Sequence, residues 1–501
     1  MTHGIIFTGM DKTKTLTRPA GATRIRTFLE PHGFNIEVVD YFSHFSIDEL
    51  KQVCAKYITK DTLFVGISIT FLYDFEKINT LFKHVKETYP GVQTLIGGNE
   101  SALAGLDTAL VDRIIWGYAE EAVLHYLKYI TGKRLDNLQW VPYRETLAVN
   151  AEEFYKNDDT DLTIKWLPED QIKFNFLPVE ISRGCIFRCT FCQFPLLGKK
   201  KNDYIRHKGN LADEFKRNYE MWGITNYTFQ DDTFNDNIVK LEYVAEAIAQ
   251  SGVQLTYSAF LRADLMARYP ETISMLADTG LIAGTFGIES FHPEAKKAIG
   301  KGMDTERQLD AVRQLKKNRD IYTYTGMIVG LPGESLKSIL DSQQWFIDQN
   351  FEVFDKWEWF GLVLRKNAMT RLSEFEKNYE KWDYTTKDAE TVDKGTFKKD
   401  IDIVNWKNKF MDVDTALAIA KQLNKETDQY RKKFGKVIHN WNDGVTAMWE
   451  VSEIVGLGID IKDVINGTFD KTLFGNKIKE VYAAIETYKK SKLTPFDTLV
   501  K

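Results

Sequence analysis

Cysteine is scarce in this chain, with four in 501 residues. So few cannot build a disulfide framework, and the cytosol would keep them reduced. Long hydrophobic runs are missing too. The longest nearly apolar stretch, Phe64 to Tyr73, falls far short of the roughly 20 residues that cross a bilayer. Met1-Thr2-His3-Gly4 lacks a basic segment leading into an apolar core, so the expectation is a cytoplasmic chain without a secretory signal. Nor is there an excess of one charge. With 66 Lys+Arg against 71 Asp+Glu the net charge is -5, which argues against a global nucleic-acid or membrane-binding field. What is present is 43% hydrophobic, 13% aromatic and 27% charged residues, the mixture of a globular protein of about three domains.

The first part alternates short β-branched runs with helical stretches. Gly4–Thr8, Asn35–Asp40, Leu63–Ile69, Val92–Ile96 and Asp112–Trp116 read as strands, with helices such as Ala20–Glu30 and Ile47–Tyr57 between them. Strands separated by helices predict a doubly wound, Rossmann-like parallel sheet over residues 1–135, whose ligands bind beyond the carboxyl ends of the strands. Residues 136–173 are mixed and polar and read as a linker with a short hairpin at most. A second alternation begins near Pro178. Its candidate strands are Pro178–Ser182, Asn226–Gln230, Leu255–Phe260, Gly284–Ile288, Tyr322–Val329 and Phe354–Leu364. Six β/α units over 174–370 predict an incomplete (β/α)6 barrel of the TIM type, with its chemistry on the loops after the strands. Residues 371–501 read as a mostly helical region, with helices over Asp412–Phe434 and Lys477–Lys490.

Three of the four cysteines fall within eight residues. In Ser182-Arg183-Gly184-Cys185-Ile186-Phe187-Arg188-Cys189-Thr190-Phe191-Cys192, spacings of four and three put three thiolates on one loop directly after a strand. Soft thiolates suit an iron–sulfur cluster or zinc. Three ligands would leave one iron of a cubane open to a chelating small molecule. A zinc site completed by a histidine such as His207, or three structural cysteines, would use the same residues. Cys54 stands apart and reads as a buried, inert thiol.

A C-x₃-C-x₂-C pattern after the first strand of a β/α series, with an aromatic before the last cysteine, resembles the radical S-adenosylmethionine (SAM) superfamily. The resemblance implies a 4Fe–4S cluster on Cys185, Cys189 and Cys192, SAM chelating the fourth iron, and Phe191 packing near the adenine. It implies that Asp231 or Asp232, at the end of the second strand, receives the SAM ammonium. Arg262, in Leu261-Arg262-Ala263-Asp264, is similar to a family arginine that reaches the SAM carboxylate, although an ordinary surface ion pair would look the same. Glu289, in Gly287-Ile288-Glu289-Ser290, stands where the family places a polar residue at the ribose. The run from Gly326 to Glu334 is similar to the family's G-x-I-x-G-x-x-G pattern, putting Gly326, Ile328 and Gly330 beside the adenine. The implied activity is reductive cleavage of SAM to start radical chemistry, with an external electron donor such as a flavodoxin or ferredoxin as partner.

The first domain resembles the cobalamin-binding domain that precedes the barrel in one large radical SAM class. Ser68 and Thr70 look like its S-x-T stretch beside the nucleotide tail, and Gly97-Gly98-Asn99 like its glycine pair. Gly117-Tyr118-Ala119-Glu120 is close to its G-x-x-E turn, which makes Gly117 and Glu120 the remaining candidates. One departure stands out. No D-x-H-x-x-G follows the first strand, where Asp11-Lys12-Thr13-Lys14 lies instead, so no motif histidine ligates cobalt. His32 and His44 read as loop or packing residues. Cobalamin would imply methyl transfer, or in some members a rearrangement. Two alternatives remain: a radical SAM enzyme without cobalamin, and a non-enzymatic zinc or nucleic-acid-binding protein. Lys199-Lys200-Lys201 with Arg206-His207-Lys208 is the one basic stretch that could meet a phosphate, and a solvated loop reads better. Trp357-Glu358-Trp359-Phe360 reads as packing for the last barrel strand. Asn405-Trp406-Lys407-Asn408 is similar to a polar-aromatic turn of the family that carries no assigned chemistry.

Overall fold

A computed structural model describes residues 2–10, 17–98, 103, 105–153, 161–170, 174–194, 196, 203–301, 304–365, 372–386, 404–436 and 447–494. The Asp11–Lys14 segment, Asn99 and the Lys199–Lys201 run therefore lie outside the described residues. The chain divides into two compact units, residues 1–174 with 477–501, and residues 175–476.

In the first unit the five expected strands form as β1 (Gly4–Phe7), β2 (Ile36–Val39), β3 (Phe64–Ser68), β4 (Gln93–Gly98) and β5 (Arg113–Trp116). Their sheet order is β2-β1-β3-β4-β5, all parallel, the doubly wound arrangement expected. Their β-branched side chains are buried on both faces, as a sheet covered by helices on two sides requires. Helices start where the sequence supplies caps: Ser46 and Glu49 form a capping box at Ile47–Tyr57, and Asp74 caps Phe75–Thr88. The boundaries differ from those expected at both ends of this unit. Inside the supposed linker, β6 (Val141–Tyr143) and β7 (Thr146–Asn150) form an antiparallel hairpin, and β7 adds to β5 in parallel. The short hairpin expected in this polar stretch is thus present, and its outer strand is exposed. The end of the last helix, Lys471–Leu493, also belongs here. Tyr488 accepts a hydrogen bond from the Asp40 amide at 2.9 Å, and Lys492 pairs with Glu37 of β2 at 2.7 Å.

The second unit is a six-stranded, all-parallel sheet in sequential order: β8 (Leu177–Val179), β9 (Asn226–Phe229), β10 (Thr256–Leu261), β11 (Leu281–Glu289), β12 (Tyr322–Val329) and β13 (Lys356–Gly361). This is the partial barrel the alternation predicts. One face of it is aromatic. Phe229 stacks on Tyr257 with centroids 4.2 Å apart, and Phe215 of the helix Lys208–Trp222 packs on Tyr227 and Phe229. By register, Thr228, Ser258, Tyr324 and Lys356 share the other face, with Glu358 two residues beyond Lys356. The helix Ala447–Gly456 lies against β9 to β12, and Asn226 donates its amide to the Ser452 carbonyl. The helix Val413–Lys433 packs on β13, where Trp357 and Trp359 both donate to Gln343, so the tryptophan pair packs as expected.

Candidate cluster and cofactor site

The three cysteines, Asp231, Asp232, Arg262 and Glu289 lie in the loops or strand ends at the carboxyl edge of the second sheet, and Gly326 lies within β12. The loop after β8 turns at Gly184, whose φ of 78° lies in the left-handed region that glycine enters without strain. Its amide donates to Asp232 at 3.0 Å, which ties the start of the cysteine loop to the end of β9. Cys185 is buried, Cys189 and Cys192 are half-buried, and the Cys192 amide closes a turn on the Cys189 carbonyl at 3.0 Å. The loop is anchored outward as well: Thr190 donates to the carbonyls of Ala298 and Ile299, and its own carbonyl accepts from Phe375. The Cys192 thiol is pushed up to about 11, first by burial, then by Asp232 and the other two cysteines. Negative charge is thus crowded at one place, the condition under which a bound cation-rich group stabilises thiolates.

The two aspartates after β9 divide. Asp231 is fully buried and saturated: it accepts from the Ile181 amide and the Ser182 hydroxyl and pairs with Lys240 at 3.2 Å. Lys240 also pairs with Asp236 at 2.7 Å. Burial opposes its charge, but Asp236 and Asp231 outweigh that and raise its pKa. Removing one partner from such a buried set costs about 3–5 kcal/mol, so this network braces the site. Asp232 accepts only from Gly184 among the hydrogen bonds seen, and its carboxyl is pushed up to about 7 by burial and by the charge of Asp231. It is the carboxylate left with capacity for a ligand cation.

Arg262 is no surface pair. It is buried, clamped by Asp264 at 2.9 and 2.5 Å, stacked 4.2 Å above the Phe187 ring, and its Nη1 donates to the Cys189 sulfur at 3.1 Å. Glu289 follows a register shift in β11, has a φ of 66°, and accepts from Lys301 at 3.0 Å. A non-glycine residue held there stores strain, a feature that clusters at ligand sites. A small cleft brings Phe191 together with Ile328 and Phe360, and Gln193 and Glu376 supply its polar wall. Gly326 lies beside the Phe360 ring. Gly330 does not belong to this group. An added Cβ there would come within 2.7 Å of the Trp406 indole, and the Gly330 carbonyl accepts from Tyr384 and Asn408. The second glycine of the motif is thus reserved for packing, and the Asn405–Asn408 turn is what packs on it.

In the first unit, Ser68, Gly97 and Gly98 meet at the carboxyl ends of β3 and β4, half-buried, with Thr70 two residues beyond β3. Among the described residues, a Cβ added at Gly97 would meet only the Ile115 carbonyl oxygen, at 3.5 Å, so the backbone at this position forms an open cradle. At Gly98 it would strike Thr70. Gly117 and Glu120 are occupied otherwise. Gly117 turns with a φ of 83° against Glu152, and Glu120 pairs with Arg24 at 3.5 Å. His32 sits exposed by Phe28, and His44 packs between Tyr41 and Tyr482.

Sequence reasoning missed Lys240, Lys301, Glu376 and the polar set on β12 and β13, where Tyr324 donates to Glu358 at 3.1 Å and Lys356 lies 3.8 Å from it. An alternation of charged residues along Lys356-Trp357-Glu358 was the available signal. The described part of the basic stretch is taken up locally: Arg206 pairs with Glu214 at 2.7 Å, His207 caps its helix, and Lys208 pairs with Glu246. Among the described residues no three His, Cys, Asp or Glu side chains converge as a single-ion site requires. Three thiols spread round a loop suit a cluster, in which each holds a different iron. Cys54 is fully buried and its thiol is pushed up to about 12 by burial, the inert state expected of it. No helix among the described residues is long and apolar enough to cross a membrane.

Residues 179–346 match the family model of the Radical SAM superfamily. An uncharacterized methyltransferase of Pyrococcus horikoshii is 26% identical over 322 residues, which cover 61% of this chain and 68% of that protein. The structure is similar to that of the cobalamin-dependent SAM radical enzyme OxsB with aqua-cobalamin bound, with a TM-score of 0.63 over 98% of this chain and 80% of that one at 12% identity. It is also similar to the radical SAM methyltransferase TsrM of Kitasatospora setae, with cobalamin and a [4Fe-4S] cluster bound. There the TM-score is 0.55 at 15% identity, over 78% of this chain and 81% of that one. At these identities the structural likeness speaks to the fold.

Proposed function

We propose that this chain is a radical SAM enzyme that transfers a methyl group with the help of cobalamin held in its first unit, acting in the cytoplasm on a small molecule or modified biopolymer. The observation that carries the reading is the meeting of three thiols, Asp232 and Arg262 from three successive strand ends at one edge of a parallel sheet. Bound together, the reduced cluster, SAM and cobalamin would supply one-electron cleavage of the sulfonium and a carrier for the methyl group.

Cys185, Cys189 and Cys192 would hold the cluster and leave one iron open. Asp232, which accepts from the Gly184 amide with one oxygen, would accept the SAM ammonium with its remaining capacity in a charge-assisted hydrogen bond. Phe191 and Ile328 would form the apolar walls of the adenine site, and Glu289, fixed by Lys301, would meet the ribose hydroxyls. Ser68, Thr70 and the cradle at Gly97 and Gly98 would receive the nucleotide tail of cobalamin, with no histidine from the loop after β1 on the cobalt. An external one-electron donor completes the requirement.

Anaerobic reconstitution tests the reading. The expected result is about four iron and four sulfide per chain, SAM-dependent release of 5′-deoxyadenosine or S-adenosylhomocysteine on reduction, and stoichiometric binding of cobalamin. Stoichiometric zinc with no SAM cleavage would sink it. A loaded cluster that cleaves SAM without binding cobalamin would leave the radical SAM activity and remove the methyl-transfer reading.

A further inference from the structure

We propose that Arg262 sets the reduction potential of the cluster through the hydrogen bond from its Nη1 to the Cys189 sulfur, and that Asp264 sets how strongly it does so. The proposal rests on the reading of the three cysteines as cluster ligands.

The guanidinium is held from every side. Asp264 takes Nε and Nη2 in a two-pronged pair at 2.9 and 2.5 Å, and the Phe187 ring lies 4.2 Å below. The Arg262 backbone is gripped by Asn235, which accepts from its amide at 2.8 Å and donates to its carbonyl at 3.0 Å. What remains is Nη1, directed at the Cys189 sulfur at 3.1 Å. An arginine needed only to brace the loop has no call for a donor on a ligand sulfur, and one needed only for a diffusible carboxylate would not be clamped before that carboxylate arrives. Two N–H groups remain beyond these three bonds, so a further ligand contact is compatible with the role.

Reduction adds one electron, delivered by the external donor, and places one more negative charge on the cluster and its sulfurs. No proton need move. A donor N–H and a positive charge beside one of those sulfurs stabilise the reduced form more than the oxidised form, which raises the potential. The carboxylate of Asp264 works the other way, since it cancels part of the guanidinium charge. The two residues therefore act with opposite sign, although they are partners in a single ion pair. A pair that merely held the loop together would have one sign.

The experiment is an EPR-monitored redox titration of the anaerobically reconstituted full chain. Arg262→Gln should shift the cluster midpoint to more negative potential, and Asp264→Asn, whose amide oxygen can still accept from the arginine, should shift it to more positive potential. An unshifted midpoint in Arg262→Gln, or shifts of the same sign in both variants, overturns the proposal. If Arg262→Gln takes up no cluster, the Asp264→Asn titration decides alone: a positive shift supports the proposal and any other result overturns it. A wild-type chain that takes up no cluster overturns the ligand reading instead.

Discussion

At the carboxyl ends of their strands the two sheets are furnished in opposite ways. The second sheet ends in charge and thiol: three cysteines, with Asp232, Arg262 and Glu289 each held by a hydrogen-bonded partner. In the first, β3 and β4 end in small residues, Ser68, Gly97 and Gly98, and the charge that follows β2, Asp40, is already taken up by Arg18. The difference separates two ways of binding. Charged groups recognise a small zwitterion and a metal cluster one bond at a time, and each must be held still. A bare backbone strip accepts a bulky group by shape, where any side chain would be an obstacle.

Substitutions should break the two ends differently. The largest effect is expected for the triple change of Cys185, Cys189 and Cys192 to Ala, which should abolish iron and sulfide uptake while leaving the first unit's ligand binding intact. Retention of the cluster would refute the ligand assignment. Asp232→Asn should weaken SAM binding about 10- to 100-fold, the worth of one charge-assisted hydrogen bond, as read by equilibrium titration of the loaded protein. An unchanged affinity would hand the ammonium to another residue. Gly97→Leu should weaken cobalamin binding about tenfold or more by filling the cradle, with iron content unchanged. A loss of iron in that variant would show that the two ends are not separable in this way. The smallest effect sharpens the picture of how the charged end is supported. Glu334, buried and accepting from Ser290, has its carboxyl pushed up to about 8 by burial. Its folded pKa lies above the unfolded value, so its contribution to stability is full below about pH 4.5 and is lost as pH rises through about 8. Glu334→Gln should therefore flatten the pH dependence of the melting temperature in that window and raise it at the alkaline end. A parallel loss of stability at every pH would contradict this.

The parts that were legible in the sequence are those with a local signal. β-Branched runs between helices gave eleven of the parallel strands their approximate places, and the spacing of Cys185, Cys189 and Cys192 announced a soft-ligand loop. What stayed hidden depends on partners far along the chain. Nothing near Asp231 marks it as the residue that Lys240 would occupy, or Asp232 as the one left open. Gly330 fitted the adenine pattern, yet Trp406, 76 positions later, takes its space. Glu120 fitted a cofactor turn, yet Arg24 claims it. The short hairpin β6–β7 was foreseen, but not that β7 would extend the sheet beside β5, because that pairing depends on a partner strand some 30 residues back.

The return of residues 477–501 to the first unit has a consequence for the order in which the molecule can be finished. The sheet made first borrows Tyr488 and Lys492 for the backbone and side chains of its β2 strand. On a ribosome, that strand waits for a partner 448 residues further along, while the three cysteines of the cluster loop are made long before it. The helix carrying Tyr488 and Lys492 thus acts as a latch on β2, and nicking it should be felt first at that strand.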